Sequence, residues 1–166
     1  MHVYMKRLVL IFLIYTRCSI ILNAQEVEVI KYPQLLNMID QCEDGEKIIV
    51  YNFWATWCKP CIMELPHFLD LDKKYNDVEV VFVSMDMVEQ LENRVKPFVK
   101  KKNMTQRVVL VDETDFNAFI SKVHPNWSGA IPATLMVNCR DKKTYFYEKQ
   151  FDEQALFNTV DKIRKP

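Results

Sequence analysis

The stretch Asn52-Phe53-Trp54-Ala55-Thr56-Trp57-Cys58-Lys59-Pro60-Cys61 decides the fold of this 166-residue chain. It starts as an apolar run typical of a buried strand and ends in two cysteines that are separated by two residues. Residues at i and i+3 on a helix share one face, and their Cα atoms fall within the range of about 4.4 to 6.8 Å that a disulfide tolerates. The stretch therefore predicts a dithiol that closes and opens where a strand ends and a helix begins.

The composition indicates one compact globular domain, with 49% apolar and 27% charged residues. The chain beyond its first 24 residues carries 19 basic and 22 acidic side chains, so nothing in it attracts a polyanion and we expect no nucleic-acid partner. Gly45 and Gly129 are the only two glycines, which excludes the glycine-rich phosphate loops of nucleotide-binding proteins. We therefore expect no cofactor.

The amino-terminal segment has the composition of a targeting signal. Lys6-Arg7 precedes an apolar stretch over 8–22, and Ala24 provides a cleavage position, which predicts a signal peptide over 1–24 and a mature domain over 25–166. The apolar stretch is shorter than the 18 or more residues of a spanning helix, and a charge interrupts it. An uncleaved membrane anchor is the alternative. Either reading predicts export, to the periplasm if the source is a Gram-negative bacterium.

Export affects the interpretation of the remaining cysteines, because an oxidising compartment pairs stray thiols. The predicted mature chain holds Cys42 and Cys139 besides the dithiol. We interpret each of the two as a small buried hydrophobic residue. A disulfide between them stays open, since nothing in their sequence context supports it.

The pattern of apolar residues predicts alternating strands and helices. Strands are expected at 26–30, 47–55, 78–85, 106–111, 134–138 and 142–151. Helices are expected from 33 to about 44, over 58–75, 89–102 and 115–123, and after Asp152 as far as 163, with Pro66 and Pro97 as points of bending. The last two strands form an antiparallel hairpin. The fold class is therefore α/β, with a mixed central sheet and helices on both faces.

Three motifs together carry a family resemblance. They are Trp54-Ala55-Thr56-Trp57-Cys58-Lys59-Pro60-Cys61, Glu64-Leu65-Pro66 and Ile131-Pro132-Ala133-Thr134. Over residues 47–138 the chain resembles the thioredoxin superfamily, in particular its exported TlpA/ResA-type thiol-disulfide oxidoreductases. The resemblance implies a thioredoxin fold with an inserted strand-helix unit at 106–123 and a terminal hairpin plus helix. It also implies protein thiols or disulfides as substrates, a membrane thiol electron donor, a reducing role and a place in cytochrome c maturation.

The chemistry of the cysteines can be argued from the residues themselves. Cys58, at the helix start, lies at the positive end of the helix dipole among unpaired N–H groups, and Lys59 adds a cation, so its thiolate is stabilised. Cys61, one turn further in, is expected to be more buried and to resolve the mixed disulfide. Pro60 sits in the first turn, where its missing N–H costs nothing, and it fixes the backbone between the sulfurs.

A buried resolving thiol needs a group that accepts its proton. Asn52 cannot ionise, whereas Glu64 lies three residues after Cys61 on the same helix and can approach it. The resemblance likewise implies that this asparagine is paired with this glutamate. The alternative is that Glu64 is a solvated side chain favoured by the helix dipole.

The substrate surface is predicted around Pro132. The resemblance implies a cis-proline loop facing the cysteines, with the backbone of Ile131 available to an extended substrate. Trp57 and Trp127 are candidates for an apolar rim, although aromatic residues more often belong to the core, where we place Trp54. Gly129 would allow a sharp approach to this loop.

Two binding functions compete with catalysis. One Cys-x-x-Cys pair supplies only two ligands and His67 and His124 are isolated, so we expect no metal site. A copper-handling thioredoxin-fold protein is one alternative, although it would prefer wider cysteine spacing and a placed histidine. A non-catalytic thioredoxin-fold binding module with a structural disulfide is the other.

Overall fold

The structure is a computed structural model, and it describes residues 26–41 and 45–165. The predicted signal peptide and Cys42 lie outside the described residues. The strands are β1 (Val27–Ile30), β2 (Ile48–Trp54), β3 (Val78–Ser84), β4 (Arg107–Val111), β5 (Ala133–Asn138) and β6 (Lys143–Tyr147). The helices are α1 (Tyr32–Asp40), α2 (Lys59–Leu69), α3 (Leu71–Lys74), α4 (Lys96–Lys101), α5 (Asn117–Val123) and α6 (Glu153–Arg164).

The strands form one mixed sheet in the order β1-β4-β3-β2-β5-β6. The first four strands in this order run parallel to one another, whereas β5 runs antiparallel to β2 and β6 antiparallel to β5. The predicted α/β class, the terminal hairpin and the strand-helix unit formed by β4 and α5 are confirmed. Central strands are covered on both faces, which explains the unbroken β-branched and aromatic composition of β2.

The core is continuous and is centred on β2, β3 and β5. Every residue of β5 is buried, and in β2 only Ile49 is partly accessible. Trp54 is fully buried against Phe98, as predicted, with ring centroids 5.1 Å apart. In the described part of the chain, no helix is long and apolar enough to span a membrane.

Two predicted helices are divided. The helix expected over 58–75 is interrupted at Asp70, whose ψ of −10° ends α2 before α3 begins and whose carboxylate pairs with Lys73. The helix expected over 89–102 starts as a 3₁₀ turn, continues as a π-helical segment (Leu91–Val95) and becomes α-helical only at α4. Pro97 explains this, because its ring clashes with the carbonyl four residues earlier and a wider turn relieves the clash.

Tertiary contacts shorten other elements. The strand predicted over 142–151 ends at Tyr147, because Glu148 turns to accept hydrogen bonds from Ser128 and the Phe151 N–H donates to a side chain of α2. Helix α1 ends at Asp40, four residues before the predicted turn. Helix α6 begins as expected, with the Asp152 carboxylate accepting from the Ala155 N–H at 2.8 Å.

Cys139 follows β5 at the end of the sheet far from the dithiol. Its side chain is buried as predicted, and its N–H donates to the Lys47 carbonyl oxygen at 2.9 Å. Cys139 is also disulfide-bonded, so its interpretation as only a small buried hydrophobic residue is wrong. Sequence could not decide this, because pairing depends on which thiols the fold brings together.

Candidate active site

Cys58 and Cys61 are joined in a disulfide at the junction of β2 and α2. Their Cα atoms are 5.3 Å apart, within the range that a disulfide accepts. Cys58 is the N-cap of α2 and lies just outside the helix, whereas Cys61 lies in its first turn. Cys58 is 5% exposed and Cys61 is 0% exposed, so Cys61 is the more buried of the two as predicted. Cys58 is nearly buried as well in this oxidised state, because its sulfur lies against the start of α2 and against the Ile131 carbonyl.

The Cys58 sulfur caps the helix. The Cys61 N–H donates to Cys58 Sγ at 3.3 Å, which is the bond that an N-cap side chain makes to one of the unpaired N–H groups of the first turn. This donor and the positive end of the helix dipole favour negative charge on the sulfur. Lys59 and Pro60 are both exposed in the first turn, so they border the dithiol without covering it.

The loop that ends in Pro132 faces the dithiol. The Ile131–Pro132 peptide bond is cis, as the family resemblance implied. The Ile131 carbonyl oxygen lies 3.8 Å from Cys58 Sγ. The register of β2 and β5 brings this about, because Phe53 is paired with Ala133, directly after the proline. The structure therefore brings together Cys58, Cys61, Ile131 and Pro132 although 70 residues of sequence separate the two motifs.

Trp127 is buried beneath this loop and holds it in place, so Trp127 is not part of an exposed apolar rim. Its ring is buried against Phe53, with centroids 4.5 Å apart, and its Nε1–H donates to the Ala130 carbonyl at 2.9 Å. Gly129 has φ of +97°, a backbone conformation that residues with a side chain rarely adopt, which explains the glycine at this position. The sharp approach predicted for Gly129 is confirmed.

Apolar side chains are exposed beside the dithiol. Trp57, directly before Cys58, is 62% exposed. Met63 lies two residues after Cys61 on α2 and is 57% exposed, and Met87 lies just beyond the end of β3 and is 49% exposed. Trp57, as a large exposed apolar side chain directly before a reactive cysteine, is the candidate binding surface. Sequence reasoning missed the two methionines, because a methionine near a helix start is ordinarily part of the core.

Glu64 is fully buried on α2 and is held by two hydrogen bonds. Its Oε1 accepts from Asn52 Nδ2 at 2.9 Å and its Oε2 accepts from the Phe151 N–H at 2.7 Å. Burial raises the pKa of Glu64 to about 7, and the hydrogen bonds from Phe151 and Asn52 oppose this rise. The alternative of a solvated side chain is therefore wrong. The contact with Phe151 had no local sequence signal, since 87 residues separate the two.

Asn52 links Glu64 to the sheet but is itself incompletely paired. Its Nδ2 also approaches Thr134 Oγ1 at 3.5 Å, on the neighbouring strand β5. Its buried Oδ1 has no hydrogen-bond partner. A buried unpaired carbonyl costs about 1 to 3 kcal/mol, and such groups concentrate at functional sites. The Asn52–Glu64 pair that the resemblance implied is thus present, directly beneath the dithiol helix.

His67 and His124 do not join the site. His67 lies near the end of α2, and His124 stacks on Phe146 with ring centroids 4.5 Å apart. Within residues 26–41 and 45–165, no group of three or more His, Cys, Asp or Glu side chains is placed to hold a metal ion.

The sheet order and the Cys-x-x-Cys pair at a strand-to-helix junction define a thioredoxin-fold protein. The AhpC/TSA family model matches residues 32–143, and the chain belongs to the AhpC/TSA family. The resemblance drawn from the motifs is thereby confirmed.

Relatives and solved structures agree with this placement. The chain is 40% identical over 75 residues to the thioredoxin-like protein YneN of Bacillus subtilis, covering 45% of this chain and 43% of that protein. It is 32% identical over 110 residues to the thiol-disulfide oxidoreductase ResA of Bacillus cereus, covering 66% and 57%. The chain thus spans about half the length of these relatives.

The fold is shared with solved structures. A thiol:disulfide interchange protein of the thioredoxin family from Chlorobium tepidum matches with a TM-score of 0.60 at 20% identity, covering 73% of this chain and 82% of that chain. StoA from Bacillus subtilis matches with a TM-score of 0.53 at 22% identity, covering 69% and 83%.

Proposed function

We propose that this protein is a thiol-disulfide oxidoreductase that acts on protein substrates through Cys58 and Cys61. The observation that carries the proposal is the position of Cys58 Sγ, which accepts the Cys61 N–H at the helix start and lies 3.8 Å from the Ile131 carbonyl. This sulfur is stabilised as a thiolate and faces a loop on which an extended polypeptide can lie. The names of the ResA relatives support the same activity.

We assign the reduction of a substrate disulfide to two exchanges. The Cys58 thiolate attacks one substrate sulfur, the substrate S–S bond breaks, and the second substrate sulfur leaves as a thiolate that takes up a proton. Cys61 then loses its proton and attacks Cys58 Sγ, which breaks the mixed disulfide and releases the first substrate sulfur. Two electrons pass to the substrate, and the Cys58–Cys61 disulfide seen in the structure is the product.

Glu64 is our candidate for the proton acceptor of Cys61. A general base works best when its pKa lies near the operating pH, and burial raises the pKa of Glu64 to about 7. Both carboxylate oxygens are bound to Asn52 and Phe151 in the oxidised state. We therefore expect the Glu64 carboxylate to give up one of these hydrogen bonds and to accept the Cys61 proton in the step in which Cys61 attacks Cys58 Sγ.

The direction, compartment and partners form the finer part of the proposal. The family resemblance supports a reducing role, a place in cytochrome c maturation and a membrane thiol donor. The disulfide-bonded Cys139 supports an exported location, since disulfides form and persist in oxidising compartments. Trp57, Ile131 and Pro132 are the proposed substrate contacts.

The central experiment measures disulfide exchange with and without each cysteine. We expect the wild type to catalyse the glutathione-coupled reduction of insulin, and Cys58→Ser to be inactive. Cys61→Ser should instead accumulate mixed disulfides on Cys58, which can be isolated from the exported fraction and identified by mass spectrometry. A wild type that shows no exchange with either insulin or glutathione contradicts the proposal.

A second experiment tests the direction and the pathway. Equilibration with glutathione buffers gives the potential of the dithiol, and a value near the reducing end of the thioredoxin-fold range, about −270 mV, supports a reductase. Deletion in the source organism should lower the level of mature c-type cytochromes, and added external dithiol should restore it. A potential near −120 mV would instead indicate an oxidase.

A further inference from the structure

Asp86 is a buried carboxylate that the proposed exchange steps do not use. It follows β3 by two residues and is 1% exposed. Its Oδ2 accepts from the Thr56 N–H at 2.9 Å and from Ser84 Oγ at 2.9 Å, and its Oδ1 accepts from Thr56 Oγ1 at 2.6 Å. All three donors are uncharged. The carboxylate is therefore hydrogen-bonded, but none of these three partners neutralises its buried negative charge. Such a charge is costly and calls for a functional reason.

Thr56 belongs to the turn that delivers the dithiol. The Cys58 N–H donates to the Ala55 carbonyl at 3.1 Å, which closes a turn with Thr56 and Trp57 as its two central residues. The Trp54 carbonyl accepts from the Met85 N–H at 2.8 Å, so β2 and β3 stay bonded up to the start of this turn. Asp86, the residue after Met85, then holds the turn itself, because it accepts hydrogen bonds from both the backbone N–H and the hydroxyl of Thr56.

Asp86 places a negative charge on the turn that leads into the dithiol. The ends of this turn, the Cα atoms of Ala55 and Cys58, lie within about 7 Å of each other, and Asp86 is hydrogen-bonded to Thr56 between them. A charge buried on this turn acts on the Cys58 sulfur with less screening than it would have in water. A carboxylate here opposes the helix dipole, because it disfavours a thiolate on Cys58 and therefore disfavours the reduced state of the dithiol.

We propose that Asp86 is a positioning residue of the dithiol site, which holds the turn from Ala55 to Cys58 and whose charge shifts the Cys58–Cys61 couple toward the disulfide. The inference rests on the proposed function, since it concerns the equilibrium of that dithiol. The negative charge of Asp86 makes the protein a stronger reductant than it would be with the positive helix end alone beside Cys58.

The variant Asp86→Asn tests the charge with little change of shape. An amide oxygen at the Oδ2 position still accepts from the Thr56 N–H and Ser84, and an amide nitrogen at the Oδ1 position donates to Thr56 Oγ1, whose hydroxyl turns to accept. We expect the equilibrium constant with glutathione to shift about tenfold toward the reduced protein, which is about 30 mV toward a less negative potential. Alkylation of Cys58 at mildly acidic pH should become faster.

Two control variants separate charge from structure. Thr56→Val removes the hydroxyl donor but keeps the Asp86 carboxylate. The equilibrium constant of this variant with glutathione should therefore stay within threefold of the wild-type value. Asp141→Asn removes a carboxylate at the far end of the hairpin and should leave the potential unchanged. An Asp86→Asn protein that unfolds at lower temperature but keeps the wild-type potential and alkylation rate would overturn the inference. If the wild type itself does not equilibrate with glutathione, the proposed function fails, irrespective of Asp86.

Discussion

The two ends of the central strands β2 and β5 differ in how completely their polar groups are paired. At one end Phe53 is paired with Ala133, next to the Cys58–Cys61 disulfide, and at the other Ile48 is paired with Asn138, next to the disulfide-bonded Cys139. Both ends therefore carry the same covalent chemistry. Their surroundings make them different.

The dithiol end combines exposed apolar side chains with incompletely satisfied polar ones. Trp57 is exposed, Asn52 Oδ1 is buried without a partner, and Glu64 is buried with a raised pKa. At the Cys139 end, Asn138 is fully engaged, because its Nδ2 donates to the Ile163 carbonyl and its Oδ1 accepts from the Arg140 N–H. Among the described residues, the buried side-chain polar atoms without a hydrogen-bond partner are Asn52 Oδ1 and Trp54 Nε1, and both belong to the dithiol end of β2, where we propose that disulfide exchange takes place.

The largest expected effect separates the two disulfides directly. Cys58→Ser should lower the rate of insulin reduction by on the order of 10³-fold or more, because it removes the attacking thiolate. Cys139→Ser should keep turnover within about twofold but lower the free energy of unfolding by roughly 2 to 4 kcal/mol, as the loss of a structural disulfide does. Coupled turnover and urea denaturation measure the two quantities. Loss of turnover in Cys139→Ser with a stable fold would break the comparison.

The pH dependence of stability should have opposite signs at the two ends. The folded-state pKa of Glu64, about 7, lies above its ordinary value of 4.5, so the folded protein binds more protons between these values and loses stability as pH rises through them. The loss amounts to about 3 kcal/mol at most. The Asp77–Arg164 hydrogen bond lowers the pKa of Asp77 below its ordinary value of 3.8. The stability that this bond contributes is therefore fully present above the ordinary pKa and is lost as pH falls through the lowered pKa.

Urea denaturation from pH 3 to pH 8 measures both slopes. Glu64→Gln should abolish the loss of stability between pH 4.5 and 7, and Asp77→Asn should abolish only the loss on the acid side. Parallel curves for the wild type and Glu64→Gln would mean that Glu64 titrates normally in the folded protein.

Proton transfer gives the next effect. Glu64→Gln should slow the resolution of a mixed disulfide by about 100-fold at neutral pH, and the rate should no longer rise near pH 7. Stopped-flow reduction of a small disulfide, followed by tryptophan fluorescence, measures this step. Glu153→Gln, in the exposed first turn of α6, is the matched control and should behave as the wild type. A normal pH profile in Glu64→Gln would assign the proton to another group.

The smallest effect concerns the exposed rim. Trp57→Ala should raise KM for a peptide disulfide by about tenfold or less while kcat stays within twofold, because the side chain supplies contact area and no chemistry. Its free energy of unfolding should change by less than about 0.5 kcal/mol. The matched change Trp54→Ala, in the core, should cost about 3 to 5 kcal/mol. A fall in kcat alone for Trp57→Ala would contradict its role as a binding surface.

The sequence predicted the fold better than it predicted the ends of individual elements. Strands β2, β3 and β5 were located closely because their composition is apolar throughout, and a buried central strand has few other solutions. The helix predicted over 89–102 was imprecise, since periodicity cannot show how a proline changes the hydrogen-bonding pattern around it. The end of β6 was missed because Glu148 and Phe151 leave the sheet for partners distant in sequence.

Local spacing by itself determined that Cys58 and Cys61 can close, that Cys58 lies at a helix start, and that Glu64 lies on the helix of Cys61. These are properties of neighbours on one element, and helix geometry sets them wherever the helix is placed. Only the tertiary structure decided that Phe151 and Asn52 hydrogen-bond Glu64 and that the Ile131 carbonyl faces the Cys58 sulfur. The same is true of the disulfide at Cys139 and of the hydrogen bond from Thr56 to Asp86. Each of these depends on strand order and burial, which bring together groups that no sequence interval relates.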